Sequence, residues 1–148
     1  MAKKIIKITY TLLILVVLFI ITFILFLYLS LPDFKPEVSV VEIKSEKLNE
    51  SIYIKKKVWG LTADHQFICV SRSSSNNFEP DTNKDYIYYG DSFFYNFSND
   101  TLKMYVDKES AVPKEFRSNI NIKQIELTNP EMMDLWIYYD AKGLKKLK

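Results

Sequence analysis

The chain has 148 residues, with 20 Lys and Arg, 18 Asp and Glu, one His and one Cys. Residues 32–148 hold all 18 acids and 17 of the 20 bases, a balance of −1, which removes nucleic acid as an obvious partner. A single cysteine excludes an internal disulfide, and one His plus one Cys leave a zinc site short of ligands.

The first predicted element is a membrane span. From Ile8 to Pro32 no side chain is charged. As a helix, Ile8–Leu31 would be roughly 36 Å long, which suits a bilayer core of about 30 Å with some tilt. A core helix of a soluble domain would carry a polar stripe, and none is visible here. Lys3, Lys4 and Lys7 precede the run as in a signal peptide, but the run is too long for a signal h-region. Its exit, Tyr28-Leu29-Ser30-Leu31-Pro32, has no small-x-small site and no nearby cysteine. We therefore expect an uncleaved signal anchor, with the lipid bilayer as partner of residues 8–31. The basic flank, residues 1–7, should stay cytoplasmic, which places everything after Pro32 on the far side. Pro32 and Pro36 stiffen the exit, so residues 32–45 read as a stalk running into the first strand. Residues 46–148 then form one globular domain.

In that domain, short apolar or alternating runs separated by polar turns predict strands. They lie at Val38–Ile43, Ser51–Trp59, Gln66–Arg72, Asp85–Tyr89, Ser92–Phe97, Thr101–Val106 and Asn121–Leu127. In the second, Ile52, Ile54 and Val58 share one face, and Tyr53, Lys55, Lys57 and Trp59 the other. Gly90-Asp91 fits a two-residue hairpin between the fourth and fifth. The polar stretch "SRSSSNNFEPDTNKD" (71–85) reads as a long surface loop, and Lys108–Ser118, with Pro113, as a break holding one helical turn. Near the C-terminus the period changes. Asn129 reads as N-cap, Pro130 as the first helical residue, and Gly143 as the stop, with Met132, Leu135, Trp136 and Tyr139 at helical spacing; a strand at Leu135–Tyr139 is the competing reading. Leu144 and Leu147 form a short last strand or trail. The fold class expected is an N-terminal transmembrane α-helix plus a mainly β (α+β) ectodomain, an antiparallel sandwich or open barrel with one C-terminal helix.

Several patterns invite a chemical reading. In "WGLTADHQ" the lone histidine follows an aspartate, but Leu61–Asp64 fits a turn between two strands, with an Asp bonding nearby backbone. Ser71, Ser73, Ser74 and Ser75 lie close by, outside any G-x-S-x-G elbow. "DTNKDYIYYGDS" opens with Asp81, Asn83 and Asp85 like a calcium loop, then places Tyr86 where Gly is needed and Ser92 where Glu is needed. Cys69 sits in an apolar run and reads as a buried small hydrophobe, with intermolecular pairing as the alternative. Lys55-Lys56-Lys57 alternates between strand faces, and Lys145, Lys146 and Lys148 end the chain, so solvated lysines are the expectation for both. The aromatic set Tyr86, Tyr88, Tyr89, Phe93, Phe94, Tyr95 and Phe97 must supply core, with any remainder free to meet protein or sugar. Candidate binding residues are Trp59, Asp64, His65, Tyr86, Tyr88 and Tyr95. No catalytic residue, metal ligand or cofactor is assigned.

The segment from Trp59-Gly60 through Asp64-His65-Gln66 runs into an apolar strand. A polar loop follows, then "DYIYYG", an aromatic strand and "DTLKMYV". Over roughly residues 58–106 this order resembles small exported or membrane-tethered proteins of Bacteroidetes-type bacteria, a group with no assigned activity. The resemblance implies a Gram-negative envelope setting and a periplasmic domain. The sequons at Asn49, Asn96 and Asn99 would there be chance matches rather than glycosylation sites.

Three functions follow as expectations. The first is a non-enzymatic, single-pass inner-membrane protein whose β domain binds another envelope protein. The second is an immunity or inhibitor protein acting at the membrane. The third is an envelope hydrolase using Asp64 and His65.

Overall fold

A computed structural model of the chain describes residues 2–30, 36–60, 65–75, 78–90 and 92–147. The chain divides into two compact units, an apolar helix and a β domain.

The helix, α1, spans Ala2–Ser30. Its Leu12–Leu29 segment has a mean hydropathy of 3.3, and those side chains are exposed. The Thr22 hydroxyl donates back to the carbonyls of Leu18 and Phe19, at 3.0 and 2.9 Å. A polar side chain is thus satisfied within the helix, as a hydrocarbon solvent requires. By length and composition α1 can cross a membrane.

The β domain is two four-stranded sheets and a helix. The first sheet, in order β1-β2-β3-β4, is an antiparallel meander of Glu37–Ser45, Glu50–Trp59, His65–Ser71 and Tyr86–Tyr89. The second is β7-β6-β5-β8, with β5 Phe93–Ser98, β6 Thr101–Val106, β7 Asn121–Glu126 and β8 Lys145–Lys146. The helix α2, Asn129–Tyr138, lies in sequence between β7 and β8. The mainly β, α+β architecture expected from the sequence is the one found, as a sandwich. Residues 37–45 are β1 along their whole length, paired with β2 from Glu37↔Val58 to Ser45↔Glu50, so the domain takes in what read as the stalk's end. Residues 32–35 of that stalk, and Leu31 at the end of the expected span, lie outside the described residues.

Alternation explains the core. Ile43, Ile52, Ile54, Ile68, Val70, Tyr86 and Tyr88 point inward from the first sheet. They meet Phe93, Tyr95, Leu102, Met104 and Val106 from the second. The far side of the second sheet is covered as well. Phe94 packs there with Met132, Leu135 and Leu144, and its ring meets those of Trp136 and Tyr139 at 5.8 and 5.5 Å. The domain therefore has three layers: first sheet, second sheet, α2.

Four local readings are corrected. Gly90-Asp91 is not a hairpin, because β4 pairs with β3 and β5 with β6 and β8. The chain changes sheets there, using the positive φ of +92° at Gly90, while Asp91 lies outside the described residues. The sandwich is not wholly antiparallel: β6 and β7 run parallel. Residues 107–120 form the crossover, long enough for the return that a parallel pair needs. Within it Pro113 to Phe116 is a turn, closed by Phe116 N–H to the Pro113 carbonyl at 3.4 Å, not a helical turn. Finally, α2 is capped by Thr128 rather than Asn129. Glu131 accepts both the backbone N–H and the hydroxyl of Thr128, at 2.9 and 2.6 Å, so its carboxylate selects the cap. The last strand is real but short, pairing Lys145 and Lys146 with Tyr95 and Phe94.

Candidate functional site

With the inner faces joined and α2 over the second sheet, the outer face of the first sheet remains. Register builds it row by row. Trp59 stands opposite His65, Lys57 opposite Phe67 and then Tyr89, Lys55 opposite Cys69 and then Ile87, and Tyr53 opposite Ser71. Cross-strand partners share a face, so these rows form one surface.

One end of this surface is aromatic. Phe67 is the hub, with ring centroids 5.3 Å from Trp59, 4.7 Å from Phe78 and 6.5 Å from Tyr89. The His65 ring lies 5.9 Å from that of Trp59. Tyr89 is 75% exposed and Trp59 37%, far above the few per cent of the inward tyrosines. Residues that bring a large flat apolar body and a polar edge to solvent suit recognition of another surface.

The other end is a cavity of about 760 Å³. After β3, residues 72–73 and 78–82 of the following segment wall it. This loop, expected to run free over the surface, buries Phe78 to 6% and Asp85 to 8% exposure. Serine hydroxyls hold its first turn: Ser71 Oγ accepts Ser73 N–H and Ser73 Oγ accepts Ser75 N–H, both at 3.2 Å. Asp81 Oδ1 accepts Asn83 N–H at 2.9 Å, and Asp85 Oδ2 accepts Asp81 N–H at 3.0 Å. The calcium-like spelling 81–85 is thus a self-bonded turn, with Lys84 paired to Asp81 at 3.1 Å. Under the loop lies Lys55, only 3% exposed, its Nζ donating to the Ser75 carbonyl at 2.8 Å. Beside it Cys69 is 2% exposed, and burial, aided by the charge of Asp85, pushes its thiol up to about 12. It is protonated at neutral pH and a poor nucleophile.

The candidate binding residues divide. Trp59 and His65 lie together on the aromatic end. Asp64 lies outside the described residues, with the rest of the 61–64 connection. Tyr86, Tyr88 and Tyr95 are corrected: they are 6%, 4% and 4% exposed, facing the inter-sheet core because their strand positions alternate inward. Burial pushes the phenol of Tyr88 far up, and its hydroxyl donates to Gln124 Oε1 at 2.7 Å. Burial likewise raises Tyr86 and Tyr95. Lys55 is corrected too, from solvated to buried. Lys146 lies with Nζ 3.2 Å from the centroid of the Trp136 ring, a cation–π contact that ties the chain end to α2.

Sequence reasoning missed Phe67, Tyr89 and Lys55 as site members. Tyr89 carried a signal, being out of phase with Tyr86 and Tyr88 in a strand whose inward face was already full of aromatics. Lys55 carried none, since nothing local says that the Ser75 carbonyl, twenty residues on, comes to meet it.

Fold and site together define a β-sandwich domain whose first sheet exposes an aromatic end on its outer face, in a chain that carries an N-terminal helix apolar enough to span a membrane. Compared with families of known proteins, with curated proteins and with solved structures, the chain matches none.

Proposed function

We propose that this is a non-enzymatic, single-pass protein of the bacterial inner membrane whose β domain docks another envelope protein through the outer face of its first sheet. The observation that carries the reading is the pairing of Tyr89 and Trp59, 75% and 37% exposed, on one rigid strand surface around Phe67. Such aromatics, fixed by their sheet, lose little freedom on binding. The rest is supported by sequence. Lys3, Lys4 and Lys7 with no acid beside them favour a cytoplasmic N-terminus. The resemblance over residues 58–106 favours a Gram-negative periplasm for the domain. A docking face held at a membrane also suits an immunity or inhibitor role, which would be the same surface used against a toxin.

Photocrosslinking in cells tests the proposal. A photoreactive phenylalanine analogue at position 89 is expected to capture one envelope protein repeatedly. The same analogue at position 112, where Val112 is 72% exposed on the 107–120 crossover, is the control. Trp59→Ala is expected to weaken the complex by about 2 kcal/mol, roughly thirtyfold in Kd. Identical crosslinks from positions 89 and 112, or none from 89, would remove the docking face.

A further inference from the structure

We propose that the outer face of α2 lies on the bilayer surface, with Met133, Ile137 and Tyr138 set into the lipid headgroup region. This rests on α1 being the membrane anchor and is independent of the aromatic docking end.

The helix α2 is apolar on two sides. Met132 and Leu135 turn inward and pack with Phe94. Met133 and Ile137, one helical turn apart, are 66% and 68% exposed, and Tyr138 beside them is 53% exposed. Among the described residues of the β domain, the other exposed large apolar side chains are Trp59, Tyr89 and Val112, so half of the six lie on this one short helix. The inner face already fills its core, and a second apolar stripe facing water adds nothing to the fold.

Chain length supplies the occupant. Between Ser30 and Glu37, where β1 begins, the chain can span at most about 25 Å. Packed layers lie about 10 Å apart, so the outer side of α2 is roughly 20 Å from the first sheet. The tether also enters at the fitting end of the sandwich. Ser45, the last residue of β1, donates to Asp100 in the turn that follows β5. Both strands run toward that turn, so their starts lie together at the opposite end. There Phe94 pairs with Lys146, which covers the Trp136 ring of α2. A bilayer crossed by α1 is therefore in constant reach of this face.

The chemistry fits lipid. Met133 and Ile137 are aliphatic, and a tyrosine suits the headgroup level, with its ring in the apolar part and its hydroxyl wet. The charges of residues 129–147 cancel, Glu131, Asp134 and Asp140 against Lys142, Lys145 and Lys146. Apolar insertion, not attraction to anionic lipid, drives the contact. A second copy of the chain is disfavoured, because three side chains fall well short of the roughly 800 Å² per partner of a stable interface. A bilayer needs no such area, since the anchor holds the domain beside it.

The experiment attaches a nitroxide to the full chain in lipid vesicles. The labelled sites are Ile137→Cys on α2, Lys44→Cys on the exposed outer face of the first sheet, and Leu18→Cys in α1. Cys69 is 2% exposed and stays unlabelled. Collisions with oxygen report lipid, and collisions with a water-soluble nickel chelate report water. Position 137 is expected to lose nickel collisions by at least about tenfold relative to position 44, as insertion about 5–10 Å deep implies. The loss should be equal in phosphatidylcholine and in its mixture with phosphatidylglycerol. Met133→Glu, a change at an exposed helix site, should return most nickel collisions to position 137. Position 18 tests the anchor separately. Oxygen contact at 18 with nickel contact at 137 overturns the proposal and leaves the anchor standing, whereas nickel contact at 18 overturns both. Equal protection at 44 and 137, or protection only with phosphatidylglycerol, overturns the proposal. So does spin–spin broadening at 137 that grows with protein per lipid, which would place a second copy on the face.

Discussion

Glu50 joins strand and crossover through one carboxylate. It accepts Ser118 Oγ at 2.6 Å, the backbone and side-chain N–H groups of Asn119 at 3.1 and 3.0 Å, and the Arg72 guanidinium. Burial alone would raise its pKa, but these hydrogen bonds and the Arg72 charge outweigh burial and hold the carboxyl below its ordinary 4.5. A carboxylate with a lowered folded pKa adds stability above its unfolded pKa. That stability disappears as the pH falls through the folded value. Glu50→Gln should therefore cost about 1–2 kcal/mol in denaturant unfolding at neutral pH. The gap to the natural chain should begin to narrow as the pH drops below 4.5 and close below the folded value, where Glu50 too is neutral. A gap that stays constant would show that the charge contributes nothing. Neither Ser118 nor Asn119 stood out in the sequence, since their partner lies nearly seventy residues earlier.

At the scale of elements, α2 is ten residues long and covers the second sheet with little more than Met132, Leu135 and flanking aromatics. So short a helix depends on its ends. Thr128→Ala removes the hydroxyl from the Glu131 box and should destabilise the helix by about 1 kcal/mol. The check is amide hydrogen exchange, with faster exchange expected across Met132–Tyr138 and unchanged rates in β2 and β3. Equal acceleration in both sheets would mean that the cap supports the whole domain instead. The strands themselves were legible to within a residue or two, because side-chain alternation is local. Two features were not: the parallel pairing of β7 with β6, and the jump from β4 to the opposite sheet at Gly90. A strand's period is the same whichever neighbour it finds, so pairing partners leave no mark on it.

The molecule as a whole joins a helix fit for hydrocarbon to a three-layer domain that exposes an aromatic end on the outer face of its first sheet. If α1 is the anchor, the full chain should stay with membranes through carbonate washing, and a chain lacking residues 1–31 should not. Release of the full chain, or a mature form cut near residue 30, would end the membrane assignment. Composition and period alone determined the apolar span, the β character of the domain, the sites of its strands and the helix near its end. These depend on neighbours within a few residues, where sterics and alternation act. Only the tertiary structure decided which tyrosines are core, that residues 78–82 wall a cavity, that Lys55 is buried beside it and that Tyr89 lies outside. Each of those is a burial outcome, and burial is set by surfaces brought together from distant parts of the chain. Cross-strand partners such as Lys55 and Cys69, or Phe67 and Tyr89, become neighbours only once the sheet has formed.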